Sequence, residues 1–190
     1  MQFDIDKAHD FIDKVIRSDV DFQTGITSLI NYCESTNPSD IWQDIRKFHF
    51  ANDIKGLKDW LEYLLTSESP SNNIVAFWFG LYYPIKNQKT SYGFYINGSV
   101  EFDTEDWACW TKDSYLPDNK YANSKILDKL YPIVGNGKSD VGEYVLCLGY
   151  TCLAIKEITR SINPKLLSGE RKSRAIGIGF DSGDRFIRVL

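Results

Sequence analysis

The stretch Ile74-Val-Ala-Phe-Trp-Phe-Gly-Leu-Tyr-Tyr83 is apolar at nearly every position. A run of this kind predicts a central strand covered on both faces, ended by Pro84 and the polar segment Lys86 to Thr90. It is also the longest apolar run in the chain, and its ten residues fall far short of the roughly 18 needed to cross a bilayer. Upstream of it, the first 68 residues read as helices. Ile5, Ala8, Phe11, Ile12, Val15 and Ile16 follow the i, i+3, i+4, i+7 spacing of one helix face, and Phe22, Ile26, Leu29, Ile30 and Cys33 do so after Asp19 to Asp21. Asn37-Pro38-Ser39-Asp40 starts a third helix carrying Ile41, Trp42, Ile45 and Phe48; a fourth carries Ile54, Leu57, Trp60, Leu61, Leu64 and Leu65. Ser67-Glu-Ser-Pro-Ser-Asn-Asn73 ends the helical part.

Downstream, Tyr92-Gly-Phe-Tyr-Ile96, Asn97-Gly98 and Ser99-Val-Glu-Phe-Asp103 predict a hairpin, because Asn-Gly satisfies both positive-φ positions of a type I′ turn. That register sets Ile96 against Ser99, Tyr95 against Val100, and the Phe102 ring over Gly93. A short helix is expected at Ser124 to Tyr131, ended by Pro132, and a longer one at Val141 to Ile162. Apolar residues surround most of the longer helix, which marks it as central and buried. Ala175 to Phe180 and Arg185 to Leu190 form a second hairpin, with Ile176, Ile178 and Phe180 on one face. Gly177 and Gly179 leave its other face bare for close approach. The class is therefore α+β: N-terminal helices followed by a mainly antiparallel sheet with two hairpins and a packed central helix. One domain is expected over residues 1–190, with a helical part at 1–68 and a sheet-plus-helix part at 73–190.

Composition excludes several alternatives. The 190 residues are 43% hydrophobic and 25% charged, which disfavours disorder, collagen-like repetition and a disulfide-dominated miniprotein. Five Trp, eleven Tyr and eleven Phe against one Met imply a structure built from rigid rings. The start, Met1 to Asp10, lacks the basic and apolar regions of a secretory signal, so a cytoplasmic location is expected. Cys33, Cys109, Cys147 and Cys152 are then free buried thiols. Residues 1–72 carry 13 acids and 7 bases, a balance of −6, and residues 73–190 carry 13 acids and 15 bases, a balance of +2. The nearest approach to a basic stripe is Lys165 to Arg174, so neither nucleic acid nor membrane is expected as a direct partner. A basic protein would be drawn to the acidic half.

No motif here names a reaction. Val134-Gly-Asn-Gly-Lys-Ser139 has Pro132 where a phosphate-binding loop needs its first Gly, and reads as a turn entering a helix. Gly177-Ile-Gly179-Phe-Asp-Ser-Gly183 has three residues where a dinucleotide loop has two, and lies in a hairpin. His9 and His49 sit on predicted helices, His9 four residues before Asp13 as a surface pair and His49 as a partly buried helix-end residue. Zinc spacing is missing, and an acidic loop counted from Asp103 lacks the Gly and Glu that calcium requires. No cofactor or metal is expected. Asp181 and Asp184 suit the tip of a hairpin, where they bond backbone amides. Glu101, Asp103, Glu105 and Asp106 lead directly into Trp107, Trp110 and Tyr115. Acids beside large rings can pair with the Lys and Arg of a basic partner while the rings anchor it.

Tyr95-Ile-Asn-Gly-Ser-Val-Glu-Phe-Asp103, Asp106-Trp107, Tyr115-Leu-Pro117, the helix start Asn123-Ser-Lys-Ile-Leu127 and the hairpin Gly179-Phe-Asp-Ser-Gly-Asp184 are similar to immunity-type proteins of bacterial (polymorphic) toxin systems. The resemblance covers about the second half of the chain. It implies a single α+β domain that binds and neutralises a cognate toxin without catalysis. The expected function is accordingly an immunity-like inhibitor that occludes a basic toxin or nuclease, acting as a monomer or homodimer. Its contacts would be Glu101, Asp103, Glu105, Asp106, Trp107, Trp110, Tyr115, Asp181 and Asp184. The rivals are a small hydrolase using Asp181 and Asp184, or a Cys and a His brought together by folding, and a structural or oligomerisation module.

Overall fold

The structure is a computed structural model and describes residues 3–83, 85–86, 89–103, 114–168, 173–181 and 185–190. Four of its helices begin where a capping side chain precedes an apolar stripe. Asp4 accepts from the Lys7 N–H at 3.2 Å to open α1 (Ile5–Arg17), and Asp21 accepts from the Thr24 N–H at 2.8 Å to open α2 (Phe22–Thr36). The short α3 (Ile41–Arg46) buries Trp42 and Ile45, and Phe48 falls in the link to α4 (Phe50–Ser67). Ser124 caps α5 (Lys125–Val134), and Ser139 caps α6 (Asp140–Ser161). Between these two helices Asn136 and Gly137 both take positive φ, so the Gly-Asn-Gly segment is the helix-entry turn expected of it.

Pro132 does not end α5. It sits in the last turn, where a proline forgoes one backbone bond, and Lys138 Nζ donates to its carbonyl oxygen at 2.7 Å. The α6 helix is the axis of the helical layer. Its buried residues run around its whole circumference, and α1, α2, α4 and α5 pack about it. Among the described residues, no helix is long and apolar enough to cross a membrane.

The strands of the main sheet are β1 (Ala76–Tyr82), β4 (Gly93–Ser99), β5 (Tyr121–Ala122), β6 (Ala175–Phe180) and β7 (Phe186–Arg188), in the order β5-β4-β1-β6-β7. Two further short strands, β2 (Ile85–Lys86) and β3 (Lys89–Thr90), pair with each other. The apolar run at 74–83 thus supplies the middle strand of five. The β1–β6 pair is parallel, as a connection through α5 and α6 allows, and the other pairs are antiparallel. The closing β6–β7 hairpin forms, with Ile178 opposite Ile187 and Gly179 opposite Phe186; residues 182–184 at its tip lie outside the described residues.

The hairpin expected at Asn97-Gly98 does not form. Neither residue has positive φ; both lie inside β4, with Asn97 opposite Trp78 and Gly98 opposite Phe77 on β1. Ile96 faces Phe79 and Ser99 faces Ala76, so the expected cross-strand pairs are absent. The physical reason is the neighbour on each side: β4 is hydrogen-bonded to β1 along its length and to β5 at Phe94 and Tyr95. Gly98 serves close packing instead of turning. A Cβ there would lie 2.9 Å from Ile74 Cγ2 and 3.0 Å from Tyr115 Cβ.

Strand alternation divides the sheet into two faces. Phe77, Phe79, Leu81, Phe94, Ile96, Ala122, Ile176, Ile178 and Ile187 face the helices and join one continuous core that also includes residues of α1, α2, α4, α5 and α6. Ala76, Trp78, Gly80, Tyr82, Tyr95, Asn97, Gly179 and Phe186 point the other way.

Candidate functional site

The face turned away from the helices has two ends. At one end Ala76, Trp78 and Ala175 are buried, and the Trp78 indole fills the space that a side chain at Gly179 would need, edge-on to Phe186 at 6.0 Å. The bare glycine face thus receives an aromatic ring, where the sequence suggests a helix or backbone. The chain leaving β4 crosses this end, because Phe102 comes beneath the Arg188 guanidinium of β7 at 5.3 Å. Glu101 and Asp103 flank Phe102 and are exposed.

At the other end three tyrosines from three strands form a triangle. The ring centroids of Tyr82, Tyr95 and Tyr121 lie 5.5 to 6.2 Å apart, in tilted and edge-on pairs. Gly80 makes room for them: a Cβ at that position would sit 2.6 Å from the Tyr95 ring. The Tyr95 hydroxyl donates to Asp181 Oδ1 at 2.5 Å, which orients both groups. Tyr121 is 54% exposed and carries Lys120 Nζ over its ring at 5.5 Å. Burial, with the neighbouring Tyr121, pushes the Tyr82 phenol above its ordinary pKa, which keeps that hydroxyl neutral near neutral pH.

The structure distributes the expected site residues unevenly. Asp181 lies at the tyrosine end of this face, and Glu101 and Asp103 are exposed on either side of Phe102, beyond the Trp78 end. Tyr115 does not join them. It bridges Gly98, lies against Phe77 at 6.1 Å and is only 9% exposed, so it belongs to the helix-covered core and not to an exposed aromatic group. Glu105, Asp106, Trp107, Trp110 and Asp184 lie outside the described residues. Sequence reading missed Tyr82, Tyr95 and Tyr121. The signal was the alternation of Phe94 and Ile96 with Tyr95, Asn97 and Ser99, which a turn at Asn97-Gly98 breaks.

The remaining reactive groups have structural employment. Cys33, Cys147 and Cys152 are buried free thiols whose pKa values burial drives up, away from the nucleophilic thiolate; Cys109 lies outside the described residues. His9 does not form the expected surface pair with Asp13: its Nδ1 is 3.0 Å from the Tyr144 hydroxyl of α6, and burial lowers its pKa. His49 is the residue preceding α4, with no capping bond from its side chain. Among the described residues no three His, Cys, Asp or Glu side chains are grouped so as to hold a metal ion.

Two buried charges went unread in the sequence. Asp53 of α4, 5% exposed, accepts from the hydroxyls of Ser124 and Tyr150, each at 2.6 Å, and from the Lys125 N–H at 2.7 Å. Its negative charge sits at the positive end of α5. Arg174, 3% exposed, donates to the carbonyl oxygens of Ile74, Ser168 and Ser71 and lies over the Phe77 ring, so it is a clamp between loops and not part of a basic stripe. Compared with known proteins, the chain matches no family model, no curated protein and no solved structure.

Proposed function

We propose that this chain is a non-catalytic binding protein of the immunity-like kind, which occludes a basic toxin or nuclease with the helix-free face of its sheet. The observation that carries this reading is the Tyr82–Tyr95–Tyr121 triangle beside Asp181. Tyrosines held in fixed orientation offer large contact area at low conformational cost, and such residues dominate the energetics of protein interfaces. Their ring faces attract Lys and Arg side chains, as Lys120 over the Tyr121 ring already illustrates. Asp181 places a carboxylate beside the rings, and the exposed Glu101 and Asp103 add acids past the opposite end of β4; together they raise the rate of encounter with a cationic surface.

The experiment is co-expression with the product of the adjacent reading frame, followed by binding kinetics of the purified pair over a salt series. Tyr82→Ser with Tyr121→Ser should speed dissociation, and Glu101→Gln, Asp103→Asn and Asp181→Asn together should slow association most at low salt. A complex whose kinetics ignore both sets of changes would place the contact elsewhere and sink the reading.

A further inference from the structure

The C-terminal ends of α1 and α6 meet the residues that follow β7 around an open cavity of about 440 Å³. Arg17, Lys156, Arg160 and Arg188 line it with the Asp19 carboxylate, and Asp13 pairs with Arg17 beside it, so bases outnumber acids around the cavity. Cations at helix C-termini are ordinary complements of the helix dipole, and Lys156 fits that role: its Nζ donates to the carbonyl oxygens of Ile16 at 2.6 Å and Ser18 at 2.7 Å. The dipole does not explain why three arginines line the same space.

The bonds made by these groups leave donor capacity. Arg17 Nε bonds Asp13 at 2.5 Å, one Arg160 nitrogen bonds Asp19 at 3.2 Å, and Arg188, whose guanidinium also lies over the Phe102 ring, donates from Nε to Leu190 O at 2.9 Å. Each guanidinium has five N–H donors and Lys156 has three. Lys156 also has its pKa lowered, by burial first and by the charge of Arg160 second, as expected where positive charge is in excess. Ile16 and Val189 supply an apolar wall.

We propose that this cavity binds a small organic phosphate monoester, with the phosphate between Lys156 and the guanidiniums and the organic part against Ile16 and Val189. A phosphate dianion matches the planar forks of arginine and the excess of bases, whereas a carboxylate carries half the charge. The volume exceeds that of a bare phosphate and lies in the range of small-ligand sites.

Titration calorimetry of the full chain with phenyl phosphate, inorganic phosphate and benzoate tests the assignment. Phenyl phosphate should bind tightest, and Arg160→Gln should weaken it by about tenfold or more, the loss of one charge-assisted hydrogen bond. Lys156→Met should weaken it further, but Lys156 also caps α1. Arg160→Gln, on a side chain that is 43% exposed, therefore separates loss of ligand from loss of fold, and thermal melting of both variants checks this. Benzoate binding as tightly as phenyl phosphate, unchanged affinity in folded Arg160→Gln, or no heat from either phosphate would each overturn the proposal. Inorganic phosphate matching phenyl phosphate would overturn the organic half of it. Lys156 and Arg160 lie on α6, away from the tyrosine triangle, so either result leaves the proposed recognition face to its own test.

Discussion

The two faces of the sheet share every strand and differ in what their residues are for. On the helix side, β1, β4 and β6 present Phe77, Phe79, Leu81, Phe94, Ile96, Ile176 and Ile178, all buried, with shape as their only property. On the other side the same strands present Trp78, Tyr82, Tyr95 and Asn97, with glycines at 80 and 179 beneath the rings and Asp181 just past the end of β6. Packing accounts for the first face completely. It does not require hydroxyls and carboxylates at defined positions on the second, and that surplus of chemistry is the argument for recognition there.

The comparison can be broken by substitution, beginning with the largest effect. Phe79→Ala on the helix side should cost about 3–5 kcal/mol in denaturant unfolding and leave the dissociation constant of the remaining folded protein for its partner unchanged. An affinity loss matching the stability loss would mean that the two faces are not separable. Gly80→Ala on the other side forces its methyl into the Tyr95 ring and should cost about 1–3 kcal/mol by overpacking. It should also part Tyr95 from Asp181 and so lower affinity, which distinguishes it from Phe79→Ala. Tyr121→Ser should change stability by no more than about 0.5 kcal/mol, as for an exposed position, yet weaken the complex by about tenfold.

The smallest effect lies where α1 meets α6, beside β7. Burial and the Arg185 charge lower the His9 pKa below its ordinary value of 6.5, with Asp13 and Asp10 opposing. The unfolded chain then binds the proton more readily, so stability rises with pH in this window. The contribution of His9 is complete above pH 6.5 and is lost as pH falls through the lower folded value. Replacing His9→Gln should flatten that part of the stability–pH curve between pH 5 and 7, measured by urea unfolding.

Sequence reading succeeded where the deciding interactions are local. Asp21 and Ser124, where the sequence places helix starts, cap by bonding an N–H three residues on, as Asp4 and Ser139 also do, and the apolar stripes behind them repeat within each helix. The α6 helix was legible as central because apolar side chains surround most of its circumference. Asn97-Gly98 misled for the converse reason. Its turn propensity is a property of two residues, and it is outweighed by hydrogen bonding to β1 along the whole strand, which no local window contains. Tyr115 misled likewise, since its apparent neighbours are acids in sequence and its actual neighbours are Gly98 and Phe77.

The amino-acid sequence by itself determined the α+β class, the helix starts, the central place of residues 74–83 and the closing hairpin, because periodicity and capping act over one turn or one strand. Tertiary structure decided which aromatic rings belong to the core and which to a surface. That choice depends on the strand order β5-β4-β1-β6-β7, which brings Tyr82, Tyr95 and Tyr121 within ring contact although they lie up to 39 positions apart in the chain. It also gathered Arg17, Lys156, Arg160 and Arg188 around one cavity, since charges remote in sequence meet only when helix ends and strand ends are packed together.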